Sequence, residues 1–240
     1  MKEQPTWLHI LYVKHILPEW MPEMVPITWF IILLLCATVI ISSRKLKTRN
    51  PGRFQAFLEF CVVSLEGFVR NIVGPQESRT LTPVIGTLFI YILVLNLFGL
   101  VPGFTSPTAS TGTTVALALF AFLFVQYVAI SRLGFINYFK HYLGEPIWLA
   151  PLMFPIHVIG ELARPLSLAV RLFGNIFGED LVIVVLMLIG QSVLGRFYYF
   201  IPLQFPMMLF AIFTSFVQAL VFSMLVGIYI AVAIAGHEEH

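Results

Sequence analysis

The chain has 240 residues, of which 59% are hydrophobic and only 11% charged. Soluble globular domains average about 25% charged residues, so the composition excludes a soluble domain and marks an integral membrane protein. The formal net charge of +2 says little about partners. The basic residues form no stripe and do not interleave with aromatics in a soluble segment, which excludes a nucleic-acid footprint.

Residues 1–26 mix charges with Trp7, Ile10, Leu11, Tyr12 and Trp20. They read as an outer interfacial lead-in, with Trp20 and Trp29 at the depth of an aromatic belt. The apolar run 7–13 contains His9 and lacks a small-residue cleavage site, which argues against a removable signal peptide. Residues 27–43 are the first expected span, near the lower limit of about 17 residues for a crossing. Arg44, Lys45, Lys47, Arg49 and Arg53 follow at once. The positive-inside rule therefore puts this end in the cytoplasm and the N-terminus outside. In residues 52–74, Phe54, Phe57, Leu58, Cys61, Leu65, Phe68 and Ile72 recur at helical spacing, interrupted by Gln55, Glu59, Glu66 and Arg70. This pattern predicts an amphipathic helix lying on the inner surface.

The second expected span is 84–101, introduced by Thr82-Pro83 and ended by Pro102-Gly103. The Ser, Thr, Pro and Gly of residues 102–114 carry no charge, as suits an outer loop. The third span is 115–130, and Arg132, Lys140 and His141 after it return the chain to the inside. Residues 147–190 are too long for an upright crossing. As one helix they would reach about 66 Å, against a hydrocarbon core of about 30 Å. Two crossings would need a turn at Pro165 or Gly174-Asn175, inside a charged stretch, so a single oblique helix is the better reading. An aromatic outer loop at 191–204, a last span at 205–235 and a short inner tail complete the chain. The expectation is one all-α membrane domain with about five transmembrane helices and one amphipathic surface helix, N-terminus outside and C-terminus cytoplasmic. Cys36 and Cys61 have neither a CxxC neighbour nor a histidine cluster and read as inert thiols.

The feature that needs a reason is Glu161-Leu-Ala-Arg-Pro-Leu-Ser-Leu-Ala-Val-Arg-Leu-Phe-Gly-Asn-Ile-Phe-Gly-Glu-Asp180. Two arginines and three carboxylates lie between apolar runs, although one charge at the bilayer centre costs about 2.5–3.5 kcal/mol. On a helical wheel measured from Arg171, Arg164 lies about 20° away, Asn175 about 40°, and Glu161 and Glu179 both about 80° on the same side. Asp180 falls on the opposite face. A guanidinium holds its proton at any physiological pH, so Arg171 is a fixed cation at membrane depth. It is either paired with Glu161 or Glu179 as a structural tie or part of a functional pathway, the default for intramembrane ionisable groups. Glu161 has a natural helical partner in Arg164, three residues on. Asn175 and Ser167 can serve as helix–helix hydrogen-bonding groups.

The chain contains no phosphate-binding loop, zinc-protease motif or nucleophile elbow. Ser167 and His157 are ten residues apart and on different faces, and His157 alone reads as a hydrogen-bonded interior residue. No catalytic site, metal or cofactor is expected. A secondary transporter would show paired halves around a midplane site, and none is visible.

The order Arg164-Pro-Leu-Ser-Leu-Ala-Val-Arg171-Leu-Phe-Gly-Asn175, with Asn96-Leu-Phe-Gly-Leu-Val-Pro102 and Gln218-Ala-Leu-Val-Phe, closely resembles the signature of subunit a of the F-type ATP synthases. The resemblance covers most of the chain after about Gly52. It implies an oblique helix hairpin facing a rotor ring of c subunits, each presenting a buried carboxylate. It also implies an arginine, here Arg171, that gates ion transfer between two aqueous half-channels. On that resemblance Glu161, Glu179 and Asp180 are candidates to line the half-channels, and Asp180 matches the family's ionisable site nine residues after the arginine. Gln218 matches the glutamine that faces the arginine, with Thr214, Ser215 and Tyr229 about 40°, 60° and 20° away from it on the helix. Seven residues before Gln218, where some members carry an ionisable group, this chain has Ala211. Asn96 and the Ser/Thr loop after it border the expected outer entrance, although an Asn near a helix end is often only a cap. The implied partners are the c-ring and the peripheral-stalk b subunits in a bacterial plasma membrane. Protons are the expected coupling ion, with sodium the alternative. The rival reading is an unrelated channel or carrier component with an intramembrane arginine ion pair.

Overall fold

The computed structural model describes residues 24–44, 52–101, 106–134, 150–194 and 205–235. The lead-in before residue 24, Lys140 and His141, most of the aromatic outer loop and the inner tail lie outside the described residues. Six α-helices and one short 3-10 turn make up the described fold: α1 (Met24–Arg44), α2 (Arg53–Val73), α3 (Pro75–Phe98), the turn Pro107–Ala109, α4 (Thr111–Leu133), α5 (Ala150–Leu194) and α6 (Phe205–Ala235). All but α2 are long and apolar enough to cross a membrane, by length and composition.

Glycine and proline set the break between α2 and α3. Gly74 has φ 89°, a conformation that side chains disfavour. Its N–H closes α2 on the Arg70 carbonyl at 3.0 Å. Pro75 then opens α3 at a position where a missing N–H costs nothing. Helix α3 therefore starts well before Thr82-Pro83, where the sequence placed the beginning of a span, and Pro83 lies inside it. A proline within a helix removes one backbone hydrogen bond. Here α2 and α6 pack against α3 and hold the rod together through the gap. Hydroxyls of the same stretch turn inward to the backbone, Thr82 Oγ1 donating to the Ser78 carbonyl at 2.7 Å and Thr87 Oγ1 to the Pro83 carbonyl at 2.6 Å.

Residues Leu81, Ile85, Leu88, Ile92 and Leu95 of α3 recur every three or four positions and are all buried, forming the central stripe of the core. Ala219, Phe222, Val226 and Ile230 of α6 make the facing stripe, and Phe89 and Phe216 meet edge to face across the two helices. Helix α4 packs on α5 and α6, and α2 lies against α3 and α6. The last turn of α4 is tied to the first turn of α3 by Arg132 and Glu77 at 2.6 Å. Each charge there also opposes the dipole of its helix end.

Two helices face outward. Only 11% of the α1 span and 17% of the α5 span are buried, against 39–44% for α3, α4 and α6. Helix α5 runs unbroken through Pro155, Pro165 and Gly174-Asn175. At about 1.5 Å per residue it is close to 70 Å long, more than twice the hydrocarbon thickness.

After α3 the chain turns back tightly. A Cβ added at Gly99 would lie 2.5 Å from Ser106 Cβ and 3.1 Å from the Ser106 Cα and N. Gly99→Val should therefore push the Ser106 backbone away and cost about 1–3 kcal/mol. Thermal unfolding of the detergent-purified membrane sector would register the loss as a lower midpoint, and an unchanged midpoint would show that this approach is not tight.

Candidate functional site

The polar residues of α5 and α6 meet along one antiparallel seam. Near one end, the Arg164 guanidinium lies over the Tyr229 ring, 5.1 Å from its centroid. Eleven residues further along α5 and eleven back along α6, Asn175 Nδ2 donates to Gln218 Oε1 at 2.6 Å. Four more in each direction, the Thr214 hydroxyl donates to Glu179 Oε1. The constant register sets Arg171 level with Phe222. The seam is dry at its centre, since Leu168, Leu172 and Ile176 of α5 and Phe222 and Val226 of α6 are at most 3% exposed.

Arg171 stands at the edge of this packed face. It is exposed, and among the described residues it makes no hydrogen bond or ion pair. Of the two carboxylates on its flank, Glu179 is buried and held by Thr214. Glu161 has both oxygens engaged: Arg164 Nη1 donates to Oε1 at 2.6 Å and Gln126 Nε2, from α4, to Oε2 at 2.7 Å. A tie between Arg171 and either acid is therefore not the arrangement found. Gln218 makes no hydrogen bond to Arg171 either; its Oε1 accepts from Asn175.

Beside Arg171 the outward face of α5 is small-sided. Gly160, Gly174 and Gly178 have nothing within 4 Å of where a Cβ would be, and Ala163 and Ser167 are exposed on the same sector. Asp180 is half-buried on the far side of the helix and makes no hydrogen bond or ion pair among the described residues. Ser215 is buried at 1% exposure within α6.

A second polar cluster lies where α3 turns into the following loop. Ser106 Oγ donates to the Leu95 carbonyl at 3.2 Å and pairs with Thr108 Oγ1 at 2.6 Å, and Thr108 Oγ1 donates to Asn96 Oδ1 at 2.8 Å. Asn96 is thus a cross-loop acceptor and not a helix cap. Its Nδ2 is buried with no protein acceptor, as is Gln218 Nε2. A buried donor left unpaired costs about 1–3 kcal/mol.

Ser106 and Thr108 belong to the Ser/Thr loop that the sequence set beside Asn96, whereas Gln126 did not stand out. Gln126 had a legible signal: it interrupts the apolar run 115–130 with a side chain that needs partners. Among the described residues no cluster of three or more His, Cys, Asp or Glu is placed to hold a metal ion.

Residues 25–231 match the family described as ATP synthase A chain. This chain belongs to the ATP synthase A chain family. The chain is 43% identical over 214 residues to ATP synthase subunit a 3 of Pelobacter propionicus, covering 89% of this chain and 88% of the relative. It is 44% identical over 203 residues to ATP synthase subunit a of Trichlorobacter lovleyi, covering 85% and 83%. The subunit a of Protochlamydia amoebophila aligns over 99% of this chain and 90% of its own length at 37% identity. As a member of the family, the chain is the ion-translocating stator subunit in the membrane sector of an F-type ATP synthase, not a catalytic subunit.

The geometry makes the Asn175–Gln218 bond the link between the exposed edge holding Arg171 and the buried seam. Asn175→Leu and Gln218→Leu should each lower stability, and the double variant should lose less than their sum by about 1 kcal/mol. Unfolding midpoints of the purified membrane sector close this cycle, and strictly additive losses would show that the two amides do not interact.

Proposed function

We propose that Arg171 is the electrostatic gate between two ion half-channels and that its counter-charge is a carboxylate on the rotor ring of c subunits. The observation that carries this reading is the outward, unpaired guanidinium of Arg171 on a small-sided face, while the acids on its own flank are held elsewhere. A cation left alone at membrane depth costs a few kcal/mol, and a carboxylate approaching along the face of Gly160, Gly174 and Gly178 removes that cost. Small residues at a helix interface allow such an approach.

The direction follows from the positive-inside argument. Helix α5 begins on the inner side and ends on the outer side, so Glu161 lies inward of Arg171 and Glu179 and Asp180 lie outward. A proton enters past Asn96 and the loop after α3 and reaches Glu179 and Asp180 beside Thr214 and Gln218. It neutralises a ring carboxylate, which then travels round in contact with lipid. On returning to Arg171 the carboxylate is drawn into its ionised form by the opposite charge, and the proton leaves past Glu161. Arg171 repels a cation trying to cross between the half-channels directly. Each charge moved across 100 mV releases about 2.3 kcal/mol, so several must pass for each ATP made. Asn175 holds the edge beside Arg171 to α6, Ser167 lies on the open face beside the gate, and Ser215 and Tyr229 are supporting polar groups on α6. Sodium would use the same gate with a different ring site. The peripheral-stalk b subunits hold this stator in a bacterial plasma membrane, N-terminus outside and C-terminus cytoplasmic.

In the assembled complex in liposomes, Arg171→Ala should abolish ATP synthesis driven by an imposed proton gradient while passive proton leak through the membrane sector stays the same or rises. Normal synthesis by this variant would return Arg171 to a structural role.

A further inference from the structure

Glu161 lies ten residues before Arg171, about 15 Å along the helix axis. An arginine three residues away would ordinarily take a carboxylate by both oxygens, since the fork of the guanidinium matches it. Here it takes one. Arg164 Nη1 bonds Oε1, and Gln126 of α4 reaches across to bond Oε2. The Arg164 guanidinium is also drawn towards the Tyr229 face, where a cation over an aromatic ring is attracted. Glu161, Arg164 and Tyr229 share the wall of a small cavity with Ala121, Val125 and Pro165, with room for about one water molecule. Three helices thus converge on one carboxylate and divide its oxygens between a charged donor and a neutral one.

The division has a chemical consequence. Hydrogen bonds from charged donors are roughly twice as strong as those from neutral ones. Oxygen Oε1 is held by a cation, and Oε2 is held by an amide that a proton or a water can displace. We infer that Gln126 is a positioning residue for ion release: it keeps Glu161 Oε2 out of the Arg164 fork and turned to accept a proton. The proton bonds to Oε2 as the amide lets go, leaves Oε2 for water on the inner side, and the amide bond re-forms. The inference rests on the reading that Glu161 lies on the inner half-channel.

The test uses the assembled complex in liposomes, with ATP synthesis measured first and passive proton flux measured after the catalytic head is removed, at equal complex content. Gln126→Leu should lower both by about tenfold, the effect of losing one hydrogen bond to a charged group. Gln126→Met, closer in shape and also without a donor, serves if the leucine variant assembles poorly. Gln126→His, which keeps an N–H donor, should recover most of the flux, which a purely space-filling role would not produce. The double variant Gln126→Leu/Glu161→Gln should be no slower than Glu161→Gln alone. Wild-type flux in Gln126→Leu beside an impaired Glu161→Gln would overturn the positioning role and leave Glu161 on the route. Wild-type flux in Glu161→Gln would remove Glu161 from the route and the inference with it. Losses that multiply in the double variant would show that Gln126 acts independently of Glu161 and would also overturn it.

Discussion

The structure depends on a constraint of the bilayer: a polar group in hydrocarbon must find a partner or bear the cost of having none. Along the α5–α6 seam the rule is obeyed residue by residue, with Arg164 on Tyr229, Asn175 on Gln218 and the Thr214 hydroxyl on Glu179. Constant register ties these pairs together, so that a shift of either helix would break all of them at once. Arg171 stands just off the seam, a full cation with no hydrogen bond or ion pair among the described residues. The seam fixes its position and leaves its charge unanswered, as a gate for a moving carboxylate requires.

The length of α5 belongs to the same design. A helix of 45 residues cannot stand upright in a bilayer, so it must lie obliquely, with its polar stripe running along the membrane more than across it. Glu161 and Glu179 are then separated sideways as well as in depth, which suits two half-channels that must not join. Most of α5 faces away from the rest of the chain. The small residues beside Arg171 leave room on that face for a close helix approach.

Much of this was legible in the sequence, because a helix converts residue spacing into direction. The wheel put Glu161 and Glu179 on one side of Arg171 and put Thr214 and Tyr229 near Gln218. Both stripes turn out to face each other across the seam. Which acid met which donor was not legible, because it depends on the register between two helices that share no local signal. Helix α3 begins before the span expected from the sequence: Pro83 looks like a boundary locally but lies inside a helix against which α2 and α6 pack. Gln126 interrupts an apolar span and so asks for a partner, but that partner is Glu161, 35 residues away, which no local pattern names.

The two sides of Arg171 are built differently, and Ala211 is part of the reason. At the α6 position where the family resemblance implies an ionisable group in some members, this chain has Ala211, which is 1% exposed. The acids that follow Arg171 along α5 are the neighbours Glu179 and Asp180, and α6 contributes the Thr214 hydroxyl as a neutral donor to Glu179. The acid that precedes Arg171, Glu161, is shared between a cation and an amide. A neutral donor thus touches a carboxylate on each side of Arg171, and on the Glu161 side the other oxygen is held by the ion pair to Arg164. On the proposed function, the barrier between the half-channels is the one charge on this face that holds its proton at any physiological pH, Arg171.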